Sequence, residues 1–404
     1  MARRARRPPD PVDNEVSWRT LIGYFFRLGW LAFGGPVGQI GLMHLQVVER
    51  RKWISEEEFV RILNFVHVLP GPEALQLAIY LGYKKRGYRG GILAGLLFIL
   101  PGFITLTALA AIYVRYGATR EVLGVLWGFR PVGLALLLAA LVRISRAALK
   151  NVFQVVLAAC AFAAFFFAKI SFIPVLLGCG AIYAISRRLV PRARESAALI
   201  SLPLLPAAAL AAGPRLLEIS TFFLKVGLFS FGGAYAVLPL LREGAVTTHH
   251  WMTDRQMIDA LTLGETTPGP LISIGIFIGY LAGAASGAAL SGAIAATLWL
   301  FLPSFVFVLA AARHIGWLTS QPAIREFLKG VTSGVVGLMF SISIPLAKVS
   351  FSPAGRFDPW TVALAIAAFV AVTFWKWRLN VVAVVLAGGV LGLARAFGPA
   401  ILGL

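Results

Sequence analysis

From Leu21 to Leu404 the sequence is a succession of apolar runs, parted by short basic or Gly/Pro-rich links. Each run is roughly 15 to 25 residues long, and about 20 helical residues cross a bilayer core. Inside hydrocarbon every backbone polar group has to be satisfied within its own segment or a closed barrel. Runs of this length call for helices, so the expected fold is an all-α polytopic membrane protein with about 13 hydrophobic segments. Composition excludes the soluble alternative: 59% of residues are hydrophobic and 13% charged, where a soluble domain is nearer a half and a quarter. Two cysteines in 404 residues build no disulfide framework, and Cys160 and Cys179, both inside apolar runs, read as small core residues.

The formal charge of +20 comes from 37 Lys and Arg against 17 Asp and Glu. In a soluble chain it would suggest nucleic acid; here it reads as cytoplasmic loops held by the positive-inside rule, with the lipid bilayer as partner and no nucleic acid. The segment 1–17 starts Met1-Ala2-Arg3-Arg4 and passes into polar residues without an apolar stretch, so it reads as a cytoplasmic basic tail.

The chain also repeats itself. Phe33-Gly34-Gly35 returns as Phe231-Gly232-Gly233, 198 positions later, and Trp53/Trp251 and Pro70-Gly71-Pro72/Pro268-Gly269-Pro270 keep that offset. Phe25/Phe223, Gly29/Gly227, Leu42/Leu240 and Leu63/Leu261 agree with it, and Leu100-Pro101 matches Leu302-Pro303 after a short slip. Two copies of one unit are expected, at 18–190 and 215–398, joined by a linker span at 191–214. Charge sets their orientation. Lys84-Lys85-Arg86, Arg143/Arg146/Lys150 and Arg187/Arg188/Arg192/Arg194 are basic clusters of the first copy; the counterpart of the Lys84 cluster, Leu281 to Gly287, has no charge. The weakly charged loop at Lys169 corresponds to Trp375-Lys376-Trp377-Arg378, which is basic. The bias inverts between copies, as in inverted-topology repeats, although Lys348 and Arg356 fall on the opposite side. Such repeats are associated with alternating access around a central site, and a duplicated scaffold or channel is the plainer alternative.

Each copy is broken twice in mid-segment, at Gly34-Gly35-Pro36 and Pro70-Gly71-Pro72 and at their mates. The pieces are too short to span alone, so they are either long broken helices or paired re-entrant hairpins. Non-helical backbone at that depth has to be buried or line a polar cavity. Helices starting at Pro36, Pro72, Ala234 and Pro270 would aim unpaired N–H groups and positive dipole ends at the breaks, an arrangement that suits an anion. Gly34, Gly35, Gly71, Gly232, Gly233 and Gly269 are therefore the candidate binding positions. Arg27 and Lys225, mates at the 198 offset, stand before each Phe-Gly-Gly as candidate charge partners, or else snorkel to the interface. Arg130, just before Pro131, is a third candidate cation. A polar stripe of Glu57, Arg61, Asn64 and His67 has polar mates at Arg255, Asp259, Thr262 and Glu265. Asn64, His67 and Glu265, with Glu73 beyond the first Pro-Gly-Pro and Arg130, are candidates for proton coupling or gating; a satisfied structural cluster explains them equally well. The chain carries no zinc motif, phosphate loop or Cys pair at ligand spacing, so neither an enzyme nor a cofactor or metal is expected.

Phe33-Gly34-Gly35-Pro36, Leu69-Pro70-Gly71-Pro72 and Leu100-Pro101-Gly102, with Phe229 to Tyr235, Thr267 to Pro270 and Leu302-Pro303-Ser304, resemble the chromate ion transporter family in its long two-domain form. The resemblance covers about Trp18 to Gly398. It implies a multi-pass plasma-membrane carrier that expels chromate, with an N-terminus in the cytoplasm, two oppositely oriented halves and function in the glycine motifs and membrane-embedded basic residues. Similar carriers take sulfate or another oxyanion, and the oligomeric state, a homodimer included, is left open.

Overall fold

The structure is a computed structural model that describes residues 16–33, 35–186, 213–231, 233, 235–315, 321–353, 355–375 and 380–401. The tail through residue 15, the cluster from Arg187 to Arg194, the linker span from Ser196 to Ala212, Lys376 to Arg378, and Gly34, Gly232 and Ala234 lie outside the described residues. The described residues hold fifteen α-helices and no strand, as the apolar runs require.

In the first half these are α1 (Trp18–Leu31), α2 (Gly35–His44), α3 (Glu56–Val66), α4 (Glu73–Tyr116), α5 (Arg120–Ala148), α6 (Val152–Phe166) and α7 (Phe172–Ser186). The second half has α8 (Pro214–Leu228), α9 (Leu238–Arg242), α10 (Asp254–Thr266), α11 (Ile274–Ala284), α12 (Ala289–Ala311), α13 (Pro322–Phe351), α14 (Pro359–Phe374) and α15 (Asn380–Ile401). The order repeats down to a rare detail. A single π-helical turn follows α2 at Leu45–Arg50 and α9 at Glu243–Thr248, at the same 198 offset as the glycine motifs.

The short pieces are hairpins. Within α4 the backbone leaves helical geometry at Arg86 and Gly87, the latter with φ +61°, and the chain folds back on itself so that Gly82 packs against Gly90 and Ala94. Before that turn, Lys84 pairs with Glu58 at the outer end of α3, and Phe65 meets Tyr80 at a ring separation of 5.8 Å. The segments before and after Pro70-Gly71-Pro72 therefore run side by side in opposite directions, with both ends on one face. The segments around Phe33-Gly34-Gly35 do likewise: Trp53, beyond α2, stacks edge-on at 4.9 Å with Tyr24 in α1, and Arg51 covers both rings. Their counterparts in the second half are Phe222 against Trp251 at 5.3 Å, with Arg215 over Trp251. Local signals set these ends. Ser55 and Thr253 cap α3 and α10 through their side chains, and Thr253 with Gln256 completes a capping box.

Four helices are long and apolar enough to span a membrane, namely α4, α5, α12 and α13; α6, α7, α14 and α15 are shorter apolar helices. Among the described residues the apolar runs thus appear as long helices and as shorter apolar helices, in keeping with the expected all-α polytopic membrane class. Cys179 is buried as expected, but Cys160 is exposed on α6.

The halves interleave. The returning limb of α4 packs on α1, α11 and α12, while α5 packs on α10, α13, α14 and α15, and α13 lies against α6 and α7. Equivalent helices meet in opposite directions. Gly91 of α4 faces Leu309 of α12, and Gly95 one turn on faces Phe305 one turn earlier. In α5 and α13, the Arg130 carbonyl accepts from Ser350 near the end of α13, whereas Ile144 and Ala148 share a cavity with Arg325 and Leu328 near its start.

Candidate functional site

Two backbone crossings hold the hairpin tips together. Gly71 donates its N–H to the Ser230 carbonyl at 2.8 Å, and Gly269 donates its own to the Ala32 carbonyl at 3.1 Å. Both donor and acceptor pairs are 198 positions apart, so each Pro-Gly-Pro tip of one half is pinned to the strand of backbone that leads into the Phe-Gly-Gly of the other. The geometry requires glycine: Gly71 has φ +132° and Gly269 φ +103°, and a Cβ on Gly71 would collide with Ser304 Oγ and Gln76 Nε2. Gln39 reinforces one crossing, its Nε2 donating to Gly269 O at 2.6 Å and Ala32 O at 3.0 Å. Gln76 Nε2 holds the other by donating to Pro70 O at 2.7 Å. All of Pro70 to Pro72 and Pro268 to Pro270 are buried.

This corrects the expected role of two glycines. The N–H groups of Gly71 and Gly269 are not free donors; they are used in pinning the halves. Helix α4 and the 3-10 turn at Leu271–Ser273 begin after Pro72 and Pro270, neither of which provides a side-chain cap. The Ser273 N–H already donates to Pro270 O at 2.9 Å and the Gln76 N–H to Pro72 O at 3.0 Å, so the N–H groups of Glu73 to Leu75 at the start of α4 are the first-turn donors beside the Gly71 crossing. Gly35 and Gly233 are half-buried with φ +70° and +97°, and the Glu73 carboxylate lies 3.7 Å from where a Gly233 Cβ would stand.

Arg27 and Lys225 are not brought to this centre. Both are exposed, Arg27 on the same outer face of α1 as Ile22, Phe26 and Trp30, which is the snorkelling geometry. The period of the helix explains why: the buried face carries Leu21, Tyr24, Phe25 and Leu28. Arg130 is corrected as well. It is no free cation, since its Nε and Nη2 donate to the two carboxylate oxygens of Asp259 at 2.9 and 3.0 Å, and Tyr113 donates to the same carboxylate at 3.0 Å.

The polar stripe divides between the halves. In α10 Arg255 is exposed and the other three are buried and satisfied: Asp259 holds Arg130, Thr262 donates to Ile258 O at 2.8 Å, and Glu265 accepts from Tyr235 at 2.5 Å. In α3 it is wet. Glu57, Arg61, Asn64 and His67 line a cavity of about 1040 Å³, completed by Lys150, Asn151 and Gln154 and by Arg325, Lys329 and Thr332 of α13. Arg61, Lys150, Arg325 and Lys329 line it with Glu57, the one acid of the lining, and although Arg61 pairs with Glu58 and Lys329 with Glu326 the lining is net positive. It runs along α3 to Val68, at the threshold of the Gly71 crossing, where His67 Nε2 is 3.9 Å from Glu73.

Sequence reading missed Gln39, Gln76, Ser230 and Ser304, each buried at a crossing. A lone Gln inside an apolar segment was the available signal. It also missed that Asp259 needed a buried cation and that Arg130 was the one at hand.

Comparison with known proteins matches each half of the chain to the same family. The family model of the chromate transporters matches twice, over residues 19–184 and 217–393. A chromate transport protein of Pseudomonas aeruginosa is 38% identical over 95% of this chain and 94% of its own, and one of Cupriavidus metallidurans is 33% identical over 82% and 83%. An uncharacterized transporter of Methanocaldococcus jannaschii is 25% identical over 94% of both chains. No solved structure matches. With both halves matched by the same family and near full-length similarity to its curated members, this chain belongs to the chromate transporter family.

Proposed function

We propose that the chain is a secondary carrier that exports chromate across the cell membrane by alternating access, its oxyanion site lying where the hairpin tips cross near the midplane. The reading takes 18–190 and 215–398 as inverted repeats joined through 191–214, with the N-terminus in the cytoplasm. The observation that carries it is the reciprocal pair of crossings, Gly71 to Ser230 and Gly269 to Ala32. A pseudo-two-fold relation of this kind would gather the four helix breaks around one centre. The opposed directions of α4 against α12 and α5 against α13 support the inversion. At about 1.5 Å per residue, α1 and α3 reach roughly 21 and 16 Å, against about 15 Å for half a hydrocarbon core. Hairpins entering from opposite sides would thus meet tip to tip in its middle.

The site suits an oxyanion through donors rather than fixed charge. First-turn N–H groups of α4, together with Gly35 and Gly233, would surround it, and the basic cavity along α3 would feed it from the side of the Lys84 and Arg143 clusters. That side is the cytoplasm in this reading, which makes the cavity the inward access route. Arg27 and Lys225 then act as interfacial anchors. The Glu73 carboxylate beside Gly233 would repel a dianion, and with His67 Nε2 3.9 Å away it is the candidate for proton coupling or gating.

An outgoing dianion crossing 100 mV, inside negative, gains about 4.6 kcal/mol, at about 2.3 kcal/mol per charge. That sustains roughly a thousandfold outward gradient, so export needs no second driving ion. Flux of chromate and sulfate, side by side in proteoliposomes with an imposed potential, tests the reading. Potential-driven chromate movement is expected; movement of sulfate alone would reassign the substrate, conductances far above carrier turnover would indicate a channel, and no flux of either would refute it.

A further inference from the structure

Among the described residues, seven buried side-chain polar atoms have no hydrogen-bond partner, and four of them belong to residues at the two crossings: Ser230 Oγ, Ser304 Oγ, Ser273 Oγ and Gln76 Oε1. Ser304 is 0% and Ser230 1% exposed. Both stand against Gly71, Ser304 through its hydroxyl beside the glycine Cα and Ser230 through the carbonyl that receives the Gly71 N–H. An orphaned buried hydroxyl is costly, by about 1–3 kcal/mol. Two at one point of the fold ask for a partner. Serines in helices commonly return their hydroxyl to the carbonyl one turn back, as Ser220 and Ser333 do here. Ser304, inside α12, does not.

We infer that the hydroxyls of Ser230 and Ser304 are side-chain donors to the transported oxyanion, a role that rests on the carrier reading above. A tetrahedral oxyanion presents acceptors at every corner, and a hydroxyl is the neutral donor that can rotate to meet it. The arrangement is asymmetric although the scaffold is not. The repeat mates of Ser230 and Ser304 are Ala32 and Gly102, which have no hydroxyl. The anion therefore sits nearer the Gly71 crossing than the Gly269 crossing, on the side of Glu73 and of the basic cavity. Neutral donors bind a dianion firmly enough to strip its water yet leave it free to depart, where a buried arginine would hold it.

Purified wild type, Ser230→Ala, Ser304→Ala and the double variant are compared by chromate-induced thermal stabilisation in detergent and by chromate flux in proteoliposomes. The inference expects the half-saturating chromate concentration to rise about 10-fold or more for each single change, since a hydrogen bond to a charged group is worth about 1.5–3 kcal/mol. It also expects the chromate-induced Tm shift to shrink while the Tm without anion stays level or rises, because an unpaired hydroxyl has been removed from the interior. A merely structural serine would lower the Tm without anion and leave half-saturation alone. Wild-type half-saturation in the double variant, with an active wild type, overturns the inference and leaves the carrier reading standing. A wild type that neither binds nor moves chromate or sulfate overturns both.

Discussion

Arg130 and Asp259 meet across the two halves in the interior, guanidinium to carboxylate through two N–H···O contacts at 2.9 and 3.0 Å, with Asp259 fully buried. The pair ties α5 to α10, and Tyr113 brings α4 into the same knot. A buried pair of this kind contributes little net stability but is costly to break, because the surviving charge is stranded. Asp259→Ala should therefore destabilise the protein by about 3–5 kcal/mol, read as a large fall in Tm in detergent. Replacing both partners by apolar residues of similar volume should recover most of that loss. A small effect of the single change would mean that water reaches Arg130.

The crossings make a sharper demand. Gly71→Ala and Gly269→Ala would each force a Cβ into a left-handed backbone position, and at Gly71 also into Ser304 and Gln76. Membrane insertion should survive and transport should fall to background, measured as flux normalised to protein recovered in the membrane. Gly287→Ala, another positive-φ glycine but with open space around it, is the control and should retain transport.

Charge in the cavity can be titrated by mutation. Neutralising Arg325 and Lys329 together removes two of the four cations that line it. The half-saturating anion concentration should rise several-fold at low ionic strength and converge on wild type in high salt, since surface fields are screened over about 8–10 Å near physiological salt. Salt-independent loss of activity would instead indicate damage to packing against α5.

Glu73 and His67 face each other at 3.9 Å beside the Gly71 crossing. Glu73→Gln keeps the shape and removes the charge that opposes a dianion. Chromate flux should persist at high pH, where the charged Glu73 carboxylate slows the wild type, and the response to an imposed pH gradient should flatten. An unchanged pH profile would exclude this pair from coupling.

Topology has a direct readout. Single cysteines at Glu58 and at Gln256, its mate at the 198 offset, stand at the outer ends of equivalent hairpins. In a background without Cys160 and Cys179, a membrane-impermeant thiol reagent should label them from opposite sides of the membrane. Labelling from one side only would refute inversion.

The sequence by itself determined the helical membrane class, the duplication and the places where helices break, because these follow from local quantities: run length, the recurrence of Gly and Pro, and the cost of unsatisfied backbone in hydrocarbon. It could not determine which way each polar side chain faces or what it meets. Arg27 and Arg130 both read as cations within apolar segments, yet one lies on an exposed face and the other is matched by Asp259, 129 residues away. Gly71 and Gly269 read as open donors until folding brought Ser230 and Ala32 to them. Long-range pairing between halves decided these matters. A hydrogen bond or ion pair satisfies a group only through its partner's position, and that position is fixed by the packing of the whole chain.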